Sequence, residues 1–330
     1  MKNMKLEEAR RRICVYVLVA VMLLIALICS VLIVEHLLYP EPPEPQYERK
    51  TIRYGDVSYF PRQDIRVFLF MGIDRLGPVV DSGSYKNEGA ADVVLLFIFN
   101  DTAKEYTILA LNRDSMVQMP KLGLRGKFAG NITAQLALSH TYGNGLQQSC
   151  VNTRTTVSNL LYGATIHQYI SMNMDAISIL TDAVGGVKVN ITDDFSMIDT
   201  SLKKGEVVLN GEQAYKFLRT RKDVGDQLNL SRMERHKEFM AGFLEAYRAN
   251  VGDSLSKAME IFDAISPYVV TDCSDKVMVD LLDRFYDYEL VDVVSPAGTN
   301  VRGEEYMEFY IDEENLFQLV LALLYEPKDK

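Results

Sequence analysis

Hydrophobic positions along this chain fall into three patterns. Residues 13–34 form one apolar run without a charged side chain. As a helix the run reaches about 33 Å, enough to cross ~30 Å of membrane hydrocarbon. A cleaved signal peptide has a shorter apolar stretch and a small-residue cleavage site, so this run reads as a transmembrane helix. The second pattern is near-continuous apolarity over strand length. Ile65–Ile73 and Asp92–Phe99 have the look of strands buried on both faces, and Glu105–Asn112 follows as a hairpin partner. The third is helical spacing, over Ile132–His140, Val151–Leu161, Asp175–Val184, Gly211–Leu218, Arg232–Asn250 and Glu313–Tyr325. Gly185-Gly186 stops one of these helices before a short strand, Val187–Ile191.

Strands mixed with helices predict an α/β domain, a layered mixed β-sheet flanked by helices. Before it, Pro40, Pro42, Pro43 and Pro45 alternate with Glu41 and Glu44, the composition of a stiff extended stalk. The expected organisation is a tip over 1–12, a membrane helix over 13–34, a stalk over 35–64 and one folded domain over 65–330. No internal repeat or second linker divides that domain.

Charge orients this arrangement. The net charge is −10, yet residues 1–34 hold five lysines and arginines against two glutamates. Arg10, Arg11 and Arg12 precede the apolar run and Glu35 follows it, so the positive-inside rule puts the N-terminus in the cytoplasm and the domain outside the cell membrane. An acidic domain is a poor partner for nucleic acid, which needs a basic surface. Two of the four cysteines, Cys14 and Cys29, fall in the apolar run. Cys150 and Cys273 remain, as either a disulfide or two thiols. No zinc-ligand spacing occurs.

Local basic clusters are the candidate chemistry. Ser231-Arg232-Met233-Glu234 reads as a capping box with Ser231 as the N-cap of a helix. Arg232, Arg235 and His236 then share its first turn, where free N–H groups and the helix dipole favour an anion. Arg219 and Arg221 lie on one side of an extended segment if the preceding helix ends by Leu218, and two guanidiniums can hold phosphate oxygens. A solvated helix start and surface arginines are the bland alternatives. Asp74 ends the first buried strand and Asp92 opens the second. Carboxylates so placed can share a hard cation such as Mg²⁺, although aspartate at strand ends is also ordinary turn chemistry. Arg113 ends the third strand and can join the same rim. His36, His140 and His167 have no partner pattern for a triad or metal site and read as structural or surface residues.

In order, Gly72-Ile73-Asp74-Arg75, Ala91-Asp92, Leu111-Asn112-Arg113-Asp114-Ser115, Asp182-Ala183-Val184-Gly185-Gly186-Val187, Leu209-Asn210-Gly211-Glu212-Gln213-Ala214 leading to Arg219-Thr220-Arg221, and Arg232-x-x-Arg235 resemble the LytR-CpsA-Psr family. The resemblance covers roughly Ile65 to Tyr247. It implies an envelope phosphotransferase that moves a glycopolymer, such as teichoic acid or capsular polysaccharide, from a polyprenyl-pyrophosphate carrier to peptidoglycan. A muramic acid 6-hydroxyl would attack phosphorus, and polyprenyl phosphate would leave. By position, Asp74 and Asp92 would hold Mg²⁺ (or Mn²⁺) and, with Arg113, form the catalytic set. Arg113, Arg219, Arg221 and Arg232 would clamp the pyrophosphate, with Arg235 and His236 among its binding residues.

His236 stands where the family has glutamine and adds a group that titrates near neutral pH. Asn112 and Ser115 replace a proline and a threonine, the 74–92 segment is longer than usual, and Gln227–Ser231 lacks the usual aromatic-glycine pair. The family also houses its lipid in an apolar tunnel. Phe239, Phe243 and Leu180 serve equally as tunnel lining or plain core, and plain core is the reading taken. Two other readings remain open: a polyprenyl-pyrophosphate hydrolase, and a non-catalytic module that binds polyisoprenoid phosphate and regulates envelope assembly.

Overall fold

A computed structural model describes residues 51–123, 126–220, 224 and 229–327. The expected tip and membrane helix lie outside the described residues. Among those described, no helix is long and apolar enough to cross a membrane.

Strands β1 (Ile52–Tyr54), β2 (Val57–Pro61), β3 (Ile65–Ile73), β4 (Ala91–Asn100) and β5 (Glu105–Leu111) open the chain. They are followed by a hairpin of β6 (Met116–Leu122) and β7 (Phe128–Gln135), helix α1 (Gln147–Leu160), β8 (Gln168–Asn173) and α2 (Asp175–Ala183). A second hairpin, β9 (Val187–Ile191) and β10 (Gly205–Leu209), leads into α3 (Gly211–Arg219) and the long α4 (Asn229–Asn250). The chain then runs through α5 (Leu255–Ile265), β11 (Val269–Thr271), α6 (Asp275–Asp287), β12 (Glu289–Val294), β13 (Gly298–Arg302), β14 (Met307–Ile311), α7 (Glu313–Leu324) and β15 (Tyr325–Pro327).

Six of these strands form the central sheet, in the order β11-β8-β3-β4-β5-β12. It is mixed: β3–β4, β4–β5 and β8–β11 pair antiparallel, while β3–β8 and β5–β12 are parallel. Alternation along β3 feeds two cores. Val67, Leu69, Met71 and Ile73 pack on one face with residues of α1 and α7. Phe68 and Phe70 point to the other face, toward α4, α5 and α6. Burial on both faces is why β3 and β4 read as unbroken apolar runs. A third core joins β9, β10 and α3 to Tyr247 of α4.

Three expectations change. The helix expected over Ile132–His140 is strand β7 followed by a 3₁₀ turn, Leu136–Thr141. Ile132, Ala134 and Leu136 repeat every second residue, and β7 pairs with β6. The folded part begins before Ile65, because β1 and β2 pair with each other and β2 pairs with β15 near the C-terminus. Ser231 lies inside α4, which starts at Asn229, so it is not an N-cap. A true capping box sits instead at α3, where Asn210 accepts from the Gln213 N–H and the Gln213 side chain accepts from the Asn210 N–H. Cys150 and Cys273 are free thiols.

Candidate active site

The register between β3 and β4 slips at the end that carries the carboxylates. Gly72 pairs with Val93 but Ile73 pairs with Ala91, so Asp92 is the extra residue of a β-bulge. Strict alternation would put Asp92 with Val94 and Leu96 in the core packed on α1 and α7; instead its carboxylate meets Arg232 of α4, on the other side of the sheet. Gly72 permits the close approach, since a Cβ there would stand 3.0 Å from the Val93 Cβ.

Two arginines converge on Asp92. Arg113, from the end of β5, contacts its Oδ1, and Arg232, from α4, donates from Nη1 to its Oδ2 at 3.1 Å. Arg232 Nη2 reaches the Asp92 backbone carbonyl at 3.3 Å. The Arg232 side chain is 4% exposed and that of Asp92 7%, so this is a buried ion-pair node. Removing one partner from such a node costs far more than an exposed pair is worth.

Asp74 occupies the neighbouring strand end, half-exposed. Its N–H donates to the Ala90 carbonyl at 2.9 Å, and Arg219 Nη2 lies 3.9 Å from its Oδ1. Arg219 also lies over the ring of Tyr215, one helical turn earlier in α3, and donates to its hydroxyl. Helix α3 runs one residue past the expected end and Thr220 is extended. Arg221 lies outside the described residues.

Arg235 and His236 hydrogen-bond to the end of α3 and the residue after it. Arg235 donates to the Thr220 carbonyl at 2.5 Å, sits 3.5 Å from Asp193 and covers the Phe195 ring. His236 Nε2–H donates to the Leu218 carbonyl at 3.2 Å. The two side chains therefore hold the 218–220 segment that presents Arg219. Burial, reinforced by the Arg232 charge, pushes the His236 pKa down to about 3. The imidazole is neutral at physiological pH, and the neutral-range titration expected from its sequence position is overturned by burial.

Behind this rim, an apolar cavity of about 310 Å³ runs between the sheet and helices α4, α5 and α6. Phe68, Phe70, Leu95, Phe97 and Met240 are among its walls, and Asp92, Arg113, Arg232, His236 and Lys237 also border it. Phe239, Phe243 and Leu180, read from sequence as plain core, line it too. Lys237 and Tyr215 carried no sequence signal beyond their helical spacing from Met233 and Arg219. Among the described residues no group of three or more histidine, cysteine or acidic side chains is placed to hold a metal.

Fold and site together define a mixed α/β domain built around an apolar cavity with an arginine–carboxylate rim. The LytR_cpsA_psr family model matches residues 45–323, and the chain belongs to the LytR-CpsA-Psr family. Among its relatives is the polyisoprenyl-teichoic acid–peptidoglycan teichoic acid transferase TagU of Enterococcus faecalis, 28% identical over 252 residues and covering 75% of each chain. Among solved structures, Bacillus subtilis TagV superposes with a TM-score of 0.61 at 23% identity, over 79% of this chain and 96% of that one. TagT bound to LI-WTA superposes with a TM-score of 0.60 at 19% identity, over 84% and 94%.

Proposed function

We propose that this chain transfers a glycopolymer from a polyprenyl-pyrophosphate carrier to peptidoglycan by phosphoryl transfer. The observation that carries the reading is the junction of the apolar cavity with the Arg113–Asp92–Arg232 node. An amphiphile with a long apolar tail and an anionic head matches both parts at once. Family membership and the TagU relatives support the same reading.

The acceptor hydroxyl forms a new P–O bond to the glycan-bearing phosphorus, the P–O–P bridge breaks, and polyprenyl phosphate leaves with the bridging oxygen. The hydroxyl proton passes to solvent or a nearby carboxylate. Arg113 and Arg232 supply positive charge to the non-bridging oxygens, and Arg219, on its Tyr215 platform beside Asp74, would reach the same anion. Fixed guanidiniums of this kind favour the charge distribution of phosphoryl transfer. The two carboxylates fit a hard cation. Asp74 is half-exposed, and both side chains supply the carboxylate oxygens that a hard cation takes. Mg²⁺ or Mn²⁺ takes one or two carboxylates and completes its shell with water and phosphate. Asp74 and Asp92 would hold it, and when bound it would neutralise phosphate charge.

The apolar run over 13–34 would anchor the domain on the outer face of the cell membrane, beside its lipid-linked substrate. The test is incubation of the full-length protein with a polyprenyl-pyrophosphoryl oligosaccharide, Mg²⁺ and a peptidoglycan oligomer. Mass spectrometry should find a joined product. Carrier bound but unchanged contradicts the transferase and favours a binding module.

A further inference from the structure

The loop between β3 and β4 is held by a buried polar clasp outside the rim. Asn87 is 5% exposed and His140 2%. The Asn87 Nδ2 group donates to the carbonyls of His140 (2.8 Å) and Gly143 (3.0 Å) and to Ser149 Oγ (3.0 Å). Its N–H donates to the Thr141 carbonyl at 2.8 Å. Its Oδ1 accepts the Gly89 N–H at 2.7 Å. His140 takes the other side of the same residue, with Nδ1 2.7 Å from the Gly89 carbonyl. A carbonyl only accepts, so the proton is on Nδ1 and the bare Nε2 faces the Cys150 thiol at 4.0 Å. Gly89 thus has both backbone groups engaged. A Cβ on it would stand 2.9 Å from Ile73 and 3.0 Å from Asn87 Oδ1.

Two residues separate Gly89 of this clasp from Asp92. Ala90, between them, accepts the Asp74 N–H, and Ala91 pairs with Ile73 across the bulge. Both rim carboxylates therefore take their backbone position from the segment that Asn87 and His140 grip.

We propose that Asn87 and His140 are positioning residues: by fixing Gly89 they set the register of the β3–β4 bulge and so the placement of Asp74 and Asp92 for turnover. The inference rests on the catalytic reading of those two carboxylates. A bulge has a neighbouring register one residue away, and the clasp selects against it. A displacement of about 1 Å in a reacting group can cost ~100-fold in rate, so a clasp remote from substrate can govern turnover without touching it.

The experiment compares His140→Asn, His140→Gln and Asn87→Ala in the full-length protein. Asparagine places an amide N–H near the position of Nδ1, whereas glutamine places it near that of Nε2. His140→Asn should keep turnover within a few-fold of wild type, while His140→Gln and Asn87→Ala should lose about 100-fold in kcat. All three variants should still bind inorganic pyrophosphate, since Arg113, Arg219 and Arg232 are all present.

Hydrogen exchange gives a readout independent of activity. In His140→Gln the Asp74 amide should exchange about tenfold faster while the amides of β5 stay protected, a local opening and not global unfolding. Equal turnover in all three variants, or equal loss in the asparagine and glutamine variants with β5 protection intact, overturns the proposal. Should His140→Gln lose β5 protection, Asn87→Ala decides by the same two readouts. A wild-type protein that binds carrier but never turns it over contradicts the transferase reading instead, and unchanged Asp74 exchange in both His140→Gln and Asn87→Ala contradicts the clasp itself.

Discussion

Arg232 donates to Asp92 across 140 residues of chain, joining the start of α4 to a β-bulge at the edge of the apolar cavity. With Arg113 on the other carboxylate oxygen, Asp92 is shared between two cations in the place where a pyrophosphate would need them. The carboxylate and an incoming phosphate therefore compete for the same guanidiniums.

Asp92→Ala should abolish turnover and also destabilise the fold, by roughly 3–5 kcal/mol, because it removes the buried counter-charge that Arg232 and Arg113 share, Arg113 keeping Asp114 at 3.3 Å. Added pyrophosphate should restore more thermal stability to this variant than to wild type. Differential scanning fluorimetry with and without pyrophosphate measures both effects. A variant as stable as wild type with no enhanced response to pyrophosphate would contradict the node as described.

Arg219 and Arg232 should separate. Arg219 is 47% exposed and its pairing with Asp74 is loose, so Arg219→Ala should change stability by less than about 1 kcal/mol while weakening carrier binding. Arg232→Ala should lose both binding and stability. Calorimetric titration with carrier alongside urea denaturation distinguishes the two, and identical behaviour would remove the difference in burial as the cause.

Two histidines, His140 buried and His236 part-buried, should make the protein sensitive to acid. His236 is pushed down to about 3 and His140 to about 4, in both cases chiefly by burial. The unfolded chain binds a proton at each below about pH 6.5 and the native protein does not, so stability present above that pH is lost as pH falls. Each should contribute a decline of about 1.4 kcal/mol per pH unit between roughly 6.5 and its folded value. Urea denaturation at pH 7.5 and 4.5 measures this. His236→Gln should flatten its share of the decline and leave the pH–rate profile between about 6 and 8 unchanged. A kinetic pKa in that range lost on substitution would contradict a neutral His236.

Filling the cavity should divide tail from head. Met240→Trp adds volume among the cavity walls, so it should weaken binding of a long-chain polyprenyl phosphate at least tenfold and leave inorganic pyrophosphate binding unchanged. Equal effects on both ligands would place the anion elsewhere.

The sequence made the paired strands legible because β3 and β4 are buried on both faces, and it made Asp74, Asp92, Arg113 and Arg232 legible because each sits at an element end. It could not show that Asp92 is a bulge residue, which depends on pairing with Gly72 and Ile73 and not on any local pattern. Strand β7 was hidden because Phe128–Gln135 buries little except Ala134, leaving a weak alternation. Ser231 gave a persuasive capping pattern, yet the helix starts two residues earlier, where local propensity is only a weak prior. The cavity was invisible for a different reason: Phe239, Phe243 and Leu180 look the same in sequence whether they face a neighbour or a void. Arg235 and His236 share a turn with Arg232, but the packing of α3 against α4 turns them to the carbonyls of Thr220 and Leu218.

Phosphorus NMR of the carrier pyrophosphate, followed over time with the full-length protein and Mg²⁺, with and without a peptidoglycan oligomer, bears most directly on the transfer reaction. With acceptor present, the pyrophosphate signals should give way to equal amounts of polyprenyl monophosphate and a new phosphodiester, and without acceptor they should persist. Two monophosphates appearing without acceptor, or pyrophosphate unchanged in both samples, would contradict it.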